Sequence, residues 1–185
     1  MGVKKTKTID DLLALPEDAR AELIDGEIVM MAPASNEHSR VQTRLTSIVE
    51  QYQFGKRKKN EDYWVIVAEA WTEYNTENAY VHDVAGFVSN EYDPKLKRQI
   101  ARPKWVCEVM SPSNWIKDTQ HLRVLLATFQ VPFYWTVDPL RKEIVVYQLV
   151  SNSIYGVVDS VPDGVVVELK PFPGLKIDTS YIFNP

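Results

Sequence analysis

Two acidic residues stand inside apolar runs of this chain: Asp83 within AYVHDVAGFV (79–88) and Glu108 within WVCEVM (105–110). An ionised carboxylate buried without a partner costs several kcal/mol or is neutralised by a raised pKa, so each needs a cation, a hydrogen-bond network or water at a cleft. Brought together, the two make an oxygen site of the kind a divalent cation seeks. Mg²⁺ is commonly held by one or two protein carboxylates, keeps several waters and completes its shell from substrate phosphate. Such a site can activate water and offset charge on a phosphodiester. A lone strand carboxylate is also common at sheet edges, so spacing alone leaves both meanings open.

The elements around them must bring them together. Residues 105–110 are short, rich in β-branched and aromatic side chains and bounded by Pro103 and Pro112, which predicts a buried strand. Alternation puts Lys104, Val106, Glu108 and Met110 on one face and Trp105, Cys107 and Val109 on the other. Residues 64–74 and 79–88 read as two further strands joined by the polar connector 75–78. Residues 24–31 read as a hairpin about Asp25-Gly26, preceded by a short turn or helix over 17–23. Val41, Leu45, Ile48, Val49 and Tyr52 fall on one face of a helix over 38–52, capped by Ser35 or Asn36. The charged stretch 54–62 reads as a loop whose basic cluster, Lys56-Arg57-Lys58-Lys59, is a solvated patch or a phosphate contact.

Thr8 and Asp11 suggest a cap for a short helix ending at Pro16, after a mobile tail over 1–7. Leu122, Leu125, Leu126 and Phe129 supply the apolar face of a helix over 118–129, approached through Pro112 with Ser113 or Asn114. A hairpin is expected from 133–138 and 143–150, then a pairing of 154–158 with 165–169, then an irregular but packed tail.

The 185 residues, 45% hydrophobic, suffice for one substantial core and are read as one domain over 1–185. A net charge of −4 provides no broad basic field, so contact with a polyanion must be local or use metal ions. Cys107, the only cysteine, allows no intrachain disulfide. With no signal-peptide pattern and no apolar run of about 20 residues, the expected location is the cytoplasm.

Five segments in order, AELIDGEIVMMAPASNEHS, YVHDVAGF, WVCEVMSPSNWIKD, VPFYWTVDP and PFPGLKI, resemble the Uma-type family of restriction-endonuclease-like proteins within the PD-(D/E)xK nuclease superfamily. The resemblance implies an α/β fold with a central mixed β-sheet flanked by helices, and Mg²⁺-dependent hydrolysis of DNA, with Mn²⁺ as substitute and a homodimer suited to cutting two strands. Asp83 and Glu108 take the places of the superfamily's metal-binding acids, with His82 where Pro is usual and the Val109 carbonyl as a third ligand. Glu22 matches the family's early Glu, in the metal's outer shell. His38 matches a His that would orient a phosphate or water, although a helix-start His also serves as a cap. Asp118 matches a family Asp and equally suits a helix N-terminus.

The lysine departs from the pattern. The superfamily's Lys position is Met110, and the family's alternative on the following helix is Leu122; neither side chain carries charge. Lys104, Lys117, His121 and Arg123 are nearby cations. The leading expectation is a Mg²⁺-dependent endonuclease; the alternative is a degenerate nuclease fold that binds nucleic acid or a protein partner without cleavage. In that case Leu122→Lys should raise cleavage. An enzyme acting on a phosphorylated small molecule is a third reading.

Overall fold

The computed structural model describes residues 6–16, 18–111 and 120–185 of the chain. The N-terminal tail up to residue 5 and the segment carrying Pro112, Ser113, Asn114, Lys117 and Asp118 lie outside the described residues. Lys7 is not a free tail residue: its N–H donates to the Gly26 carbonyl at 2.8 Å and its ammonium to Asp11 at 2.9 Å. Helix α1 (Ile9–Leu13) starts as its sequence suggests, with the Thr8 N–H donating to the Asp11 carboxylate at 3.0 Å.

Strands β1 (Ala21–Ile24) and β2 (Glu27–Met30) form the hairpin, with Asp25 and Gly26 at φ 47° and 73°. Two successive left-handed residues match the right-handed twist of the flanking strands, and Gly adopts this at no steric cost. The turn or helix expected before the hairpin is instead β1 itself. Ala21 and Leu23 are buried among Ile9, Leu12 and Ala79, so an extended segment packing on both sides prevails over the local helical preference.

Strands β3 (Trp64–Asn75), β4 (Asn78–Val88), β5 (Trp105–Val109), β6 (Phe133–Asp138), β7 (Glu143–Ser151) and β8 (Ile154–Pro162) complete an eight-stranded mixed sheet. The order runs β2-β1-β4-β5-β6-β7-β8, with β3 also paired to β4; β5 and β6 are parallel and the other pairs antiparallel. The pairing expected between 154–158 and 165–169 is replaced. Strand β8 extends through Pro162 and pairs with β7, while β9 (Val166–Glu168) pairs with β10 (Lys176–Asp178).

Helix α2 (Asn36–Lys58) is capped by Ser35, whose hydroxyl accepts the His38 N–H at 3.2 Å. It runs past the predicted end and absorbs the stretch read as a loop: Lys56, Arg57 and Lys58 form its last turn, where positive charge complements the helix dipole. Its buried face, with Val41, Leu45 and Val49, packs with Val84, Trp105, Cys107 and Val109 of the sheet, and with Phe172, Ile177 and α4 (Thr179–Phe183) from the C-terminal segment. On the other face, α3 (Leu122–Thr128) sets Leu122 and Leu126 against Ala85, Phe87, Val106 and Tyr134. The face assignment made for β5 from alternation therefore holds.

Candidate metal and phosphate site

One edge of β4 is shared by two strands in succession. Strand β1 meets it at Leu23↔Ala79, and β5 at residues 84–86. Between these contacts the edge of β4 faces a slot in the sheet. Alternate residues of an antiparallel strand turn their N–H to the same edge, so the N–H groups of Val81 and Asp83 need acceptors there. Acidic side chains supply them: Glu22 Oε1 accepts from Val81 at 3.1 Å, and Glu108 Oε2 from Asp83 at 3.4 Å. Reciprocally, Asp83 Oδ2 accepts the Val109 N–H at 2.7 Å. Three of the sequence-predicted residues, Glu22, Asp83 and Glu108, thus meet the same slot, and Val109 joins it through its N–H.

His38 reaches the slot from the first turn of α2, with Nε2 3.0 Å from Asp83 Oδ2; because an ionised carboxylate only accepts, the ring N–H donates. The Asp83 side chain is 15% exposed and that of Glu108 only 5%. Glu108 is buried among polar partners rather than aliphatic ones. Its Oε1 lies 2.7 Å from Nδ1 of the fully buried His82, whose Nε2 lies 2.7 Å from the Tyr74 hydroxyl. Burial pushes the Tyr74 phenol well above its usual range, so it stays protonated. The network then reads Tyr74 O–H to His82 Nε2, and His82 Nδ1–H to Glu108. Burial, reinforced by the charges of Asp83 and Glu108, likewise pushes the Cys107 thiol up and keeps it neutral.

A cleft of about 210 Å³ opens beside Asp83, bounded by Arg20, Ser35, His38, Glu69 and Ser111. Glu69 was not singled out in the sequence. It stands on β3 at φ 52°, between the ladder pairs Ala68↔Val84 and Ala70↔His82. One of its oxygens accepts Gln42 Nε2 at 2.8 Å and the other Arg20 at 2.5 Å, while Gln42 also donates to the Asp83 carbonyl at 2.7 Å.

The donor set suits a hard divalent cation in type, since carboxylate oxygens from adjacent strands line one slot and a ligating carboxylate ordinarily accepts hydrogen bonds as well. Among the described residues no group of three or more His, Cys, Asp or Glu is disposed to hold a metal. The protein's share of such a shell would be Asp83, Glu108 and the main-chain carbonyl of Val109, with Glu22 outside it. The lysine positions remain apolar: Leu122 is 1% exposed within the α3 core and Met110 9% exposed. Of the nearby cations, Arg123 lines a second cleft with Met110, Thr136 and Asp138, and Lys104 lies 3.6 Å from Glu91.

The family model described as "Uma2: Putative restriction endonuclease" matches residues 9–180. The chain belongs to the Uma2 family. It is similar to a crystal structure titled as that of a putative nuclease belonging to DUF820 from Anabaena variabilis ATCC 29413. The TM-score is 0.69 at 21% identity, covering 95% of this chain and 97% of that one. At that identity the likeness shows the fold, a central mixed sheet flanked by helices. No curated protein matches the chain. Among the described residues of this Uma2 protein, no helix is long and apolar enough to cross a membrane.

Proposed function

We propose that this Uma2 protein is a Mg²⁺-dependent endonuclease that hydrolyses DNA phosphodiester bonds, with Mn²⁺ as an effective substitute. The observation that carries the reading is the meeting of Asp83 and Glu108 at the slot between β1 and β5, beside an open cleft. Family membership supports the reaction class. Bound there, a divalent cation would lower the pKa of a water and offset charge on the phosphate. The chain's own residues do the rest. His38 and the Val109 N–H fix Asp83 Oδ2, His82 backed by Tyr74 fixes Glu108, and Glu22 holds the β4 edge beside them. Cytoplasmic DNA is the matching substrate pool, and a homodimer suits cleavage of both strands.

The test is cleavage of plasmid DNA by the purified protein with Mg²⁺ or Mn²⁺. Asp83→Asn and Glu108→Gln are expected to abolish it; equal cutting by the double variant overturns the assignment.

A second reading, a nuclease fold that binds nucleic acid or a protein partner without cutting, is favoured by the apolar side chains at both lysine positions. Robust metal-dependent cleavage by the unmodified chain removes it.

A further inference from the structure

The cleft beside Asp83 contains one arginine and no lysine among its described lining residues. We propose that Arg20 is the group that contacts the DNA phosphate there, with Glu69 as a counter-ion that the phosphate displaces. The inference rests on the endonuclease reading and supplies the cation that Met110 and Leu122 lack.

A net charge of −4 leaves no broad field to hold a polyanion, so a phosphate must be met by a local cation. The Arg20 side chain is 53% exposed, and its contact with Glu69 uses one nitrogen, Nη2, of a guanidinium with five N–H donors. That planar fork matches a phosphate bidentately.

Glu69 is built into the site rather than placed at random on the surface. Its left-handed backbone conformation is unusual for a strand residue that is not Gly, and it occurs where β3 passes Asp83. Gln42 then ties the Glu69 carboxylate to the main-chain carbonyl of Asp83. Arg20 is therefore held over the cleft by a carboxylate coupled to the strand that carries the proposed metal ligand. A carboxylate in that place orients the guanidinium when the cleft is free and gives way to a phosphate oxygen, which accepts the same donors.

An ordinary exposed ion pair would behave differently, and duplex binding separates the two. Binding of a fluorescent DNA duplex longer than one helical turn is measured by anisotropy in EDTA, across a range of salt concentrations. Arg20→Gln is expected to weaken binding and to make the log–log salt slope shallower by about 0.9, the loss of one phosphate contact. Arg20→Lys should retain the slope. Glu69→Gln should tighten binding at low salt, the opposite sign, and that gain should vanish in the Arg20→Gln background, because Glu69 acts by competing for Arg20. An unchanged slope in Arg20→Gln, or a Glu69→Gln gain that persists without Arg20, overturns the assignment while leaving the endonuclease reading in place. If the unmodified protein binds no duplex in EDTA, the Arg20 assignment falls, while the endonuclease reading, whose substrate contact includes the metal, is decided by the cleavage of plasmid DNA with Mg²⁺ or Mn²⁺. Thermal melts of each variant confirm that the compared proteins are folded.

Discussion

Glu108 Oε2 accepts the main-chain N–H of Asp83, so one proposed metal ligand serves as the backbone partner of the other. Asp83 in turn accepts the N–H of Val109, the residue after Glu108. The two carboxylates stitch β4 to β5 where the regular ladder stops, and any change to them acts on the sheet as well as on a bound ion.

This double duty sets an expectation for how the pair should be mutated. Asp83→Asn keeps a carbonyl oxygen for the Val109 N–H. Glu108→Gln keeps one for the Asp83 N–H while its amide faces His82 Nδ1, which accepts once the ring changes tautomer and Nε2–H donates to the Tyr74 oxygen. Each is expected to stay within about 1 kcal/mol of the unmodified stability. Ala at either place leaves a backbone donor unmet and should cost about 1–3 kcal/mol. Urea denaturation of the four variants checks the split. Asn and Gln variants as unstable as the Ala variants would mean that charge, not the hydrogen bond, holds the strands.

His82 is the inner support of Glu108. His82→Phe keeps an aromatic ring but removes both the donor to Oε1 and the acceptor of the Tyr74 hydroxyl, and is expected to lose about 2–4 kcal/mol. Tyr74→Phe removes only the outer link and should lose about 1 kcal/mol. The same denaturation curves give both values, and a His82→Phe loss no larger than that of Tyr74→Phe would separate His82 from Glu108.

The buried phenols make stability fall in alkali. Burial raises Tyr74, Tyr80 and Tyr155 above the ordinary value of 10.0, so between that value and the folded values the unfolded chain releases protons that the folded chain keeps. The sign follows from linkage: the contribution is fully present below pH about 10 and is lost as pH rises beyond it. Melting temperatures recorded from pH 8 upward should show little dependence on these groups at first and then a decline. Tyr74→Phe should shallow that decline, and an identical profile in the variant would contradict the burial assigned to this hydroxyl.

Much of this was legible in the chain because period and burial agree. Alternation in β5 put Trp105, Cys107 and Val109 on one face and Val106 on the other, and the structure keeps that division, with the first three against α2. The same reading ended α2 too early, since its apolar stripe stops near Tyr52 while its last turn is held by helix geometry and dipole-compatible charge rather than by a core. Glu69 and Arg20 escaped notice for a different reason. Their partnership spans 49 positions and depends on one left-handed residue inside a strand, which no periodicity reports. His82 did leave a signal: a histidine beside an acid in an apolar strand needs partners for both ring nitrogens, and Tyr74 and Glu108 are those partners. Glu22 had no such local mark. Only the family resemblance singled it out, because its role follows from where β1 and β5 leave the β4 edge uncovered.

The missing lysine can be tested at two places, and packing separates them. Leu122 lies in the core with Leu126, Val106 and Tyr134, so Leu122→Lys forces an ammonium among apolar groups and is expected to lose about 3–5 kcal/mol. The rescue of cleavage that sequence reasoning expects from it should therefore fail through instability. Met110 follows the end of β5 and borders the cleft of about 300 Å³ that also holds Thr136 and Asp138, where a lysine can lay its methylenes along the wall and keep its head in water. Met110→Lys is expected to fold with a loss below about 2 kcal/mol. Lying two residues after Glu108, it is also expected to raise Mg²⁺-dependent cleavage of plasmid DNA above that of the unmodified chain. Parallel melts and cleavage assays decide the matter: a stable, more active Leu122→Lys variant would overturn the packing argument, and a folded Met110→Lys variant with no gain would show that position 110 does not face the reacting phosphate.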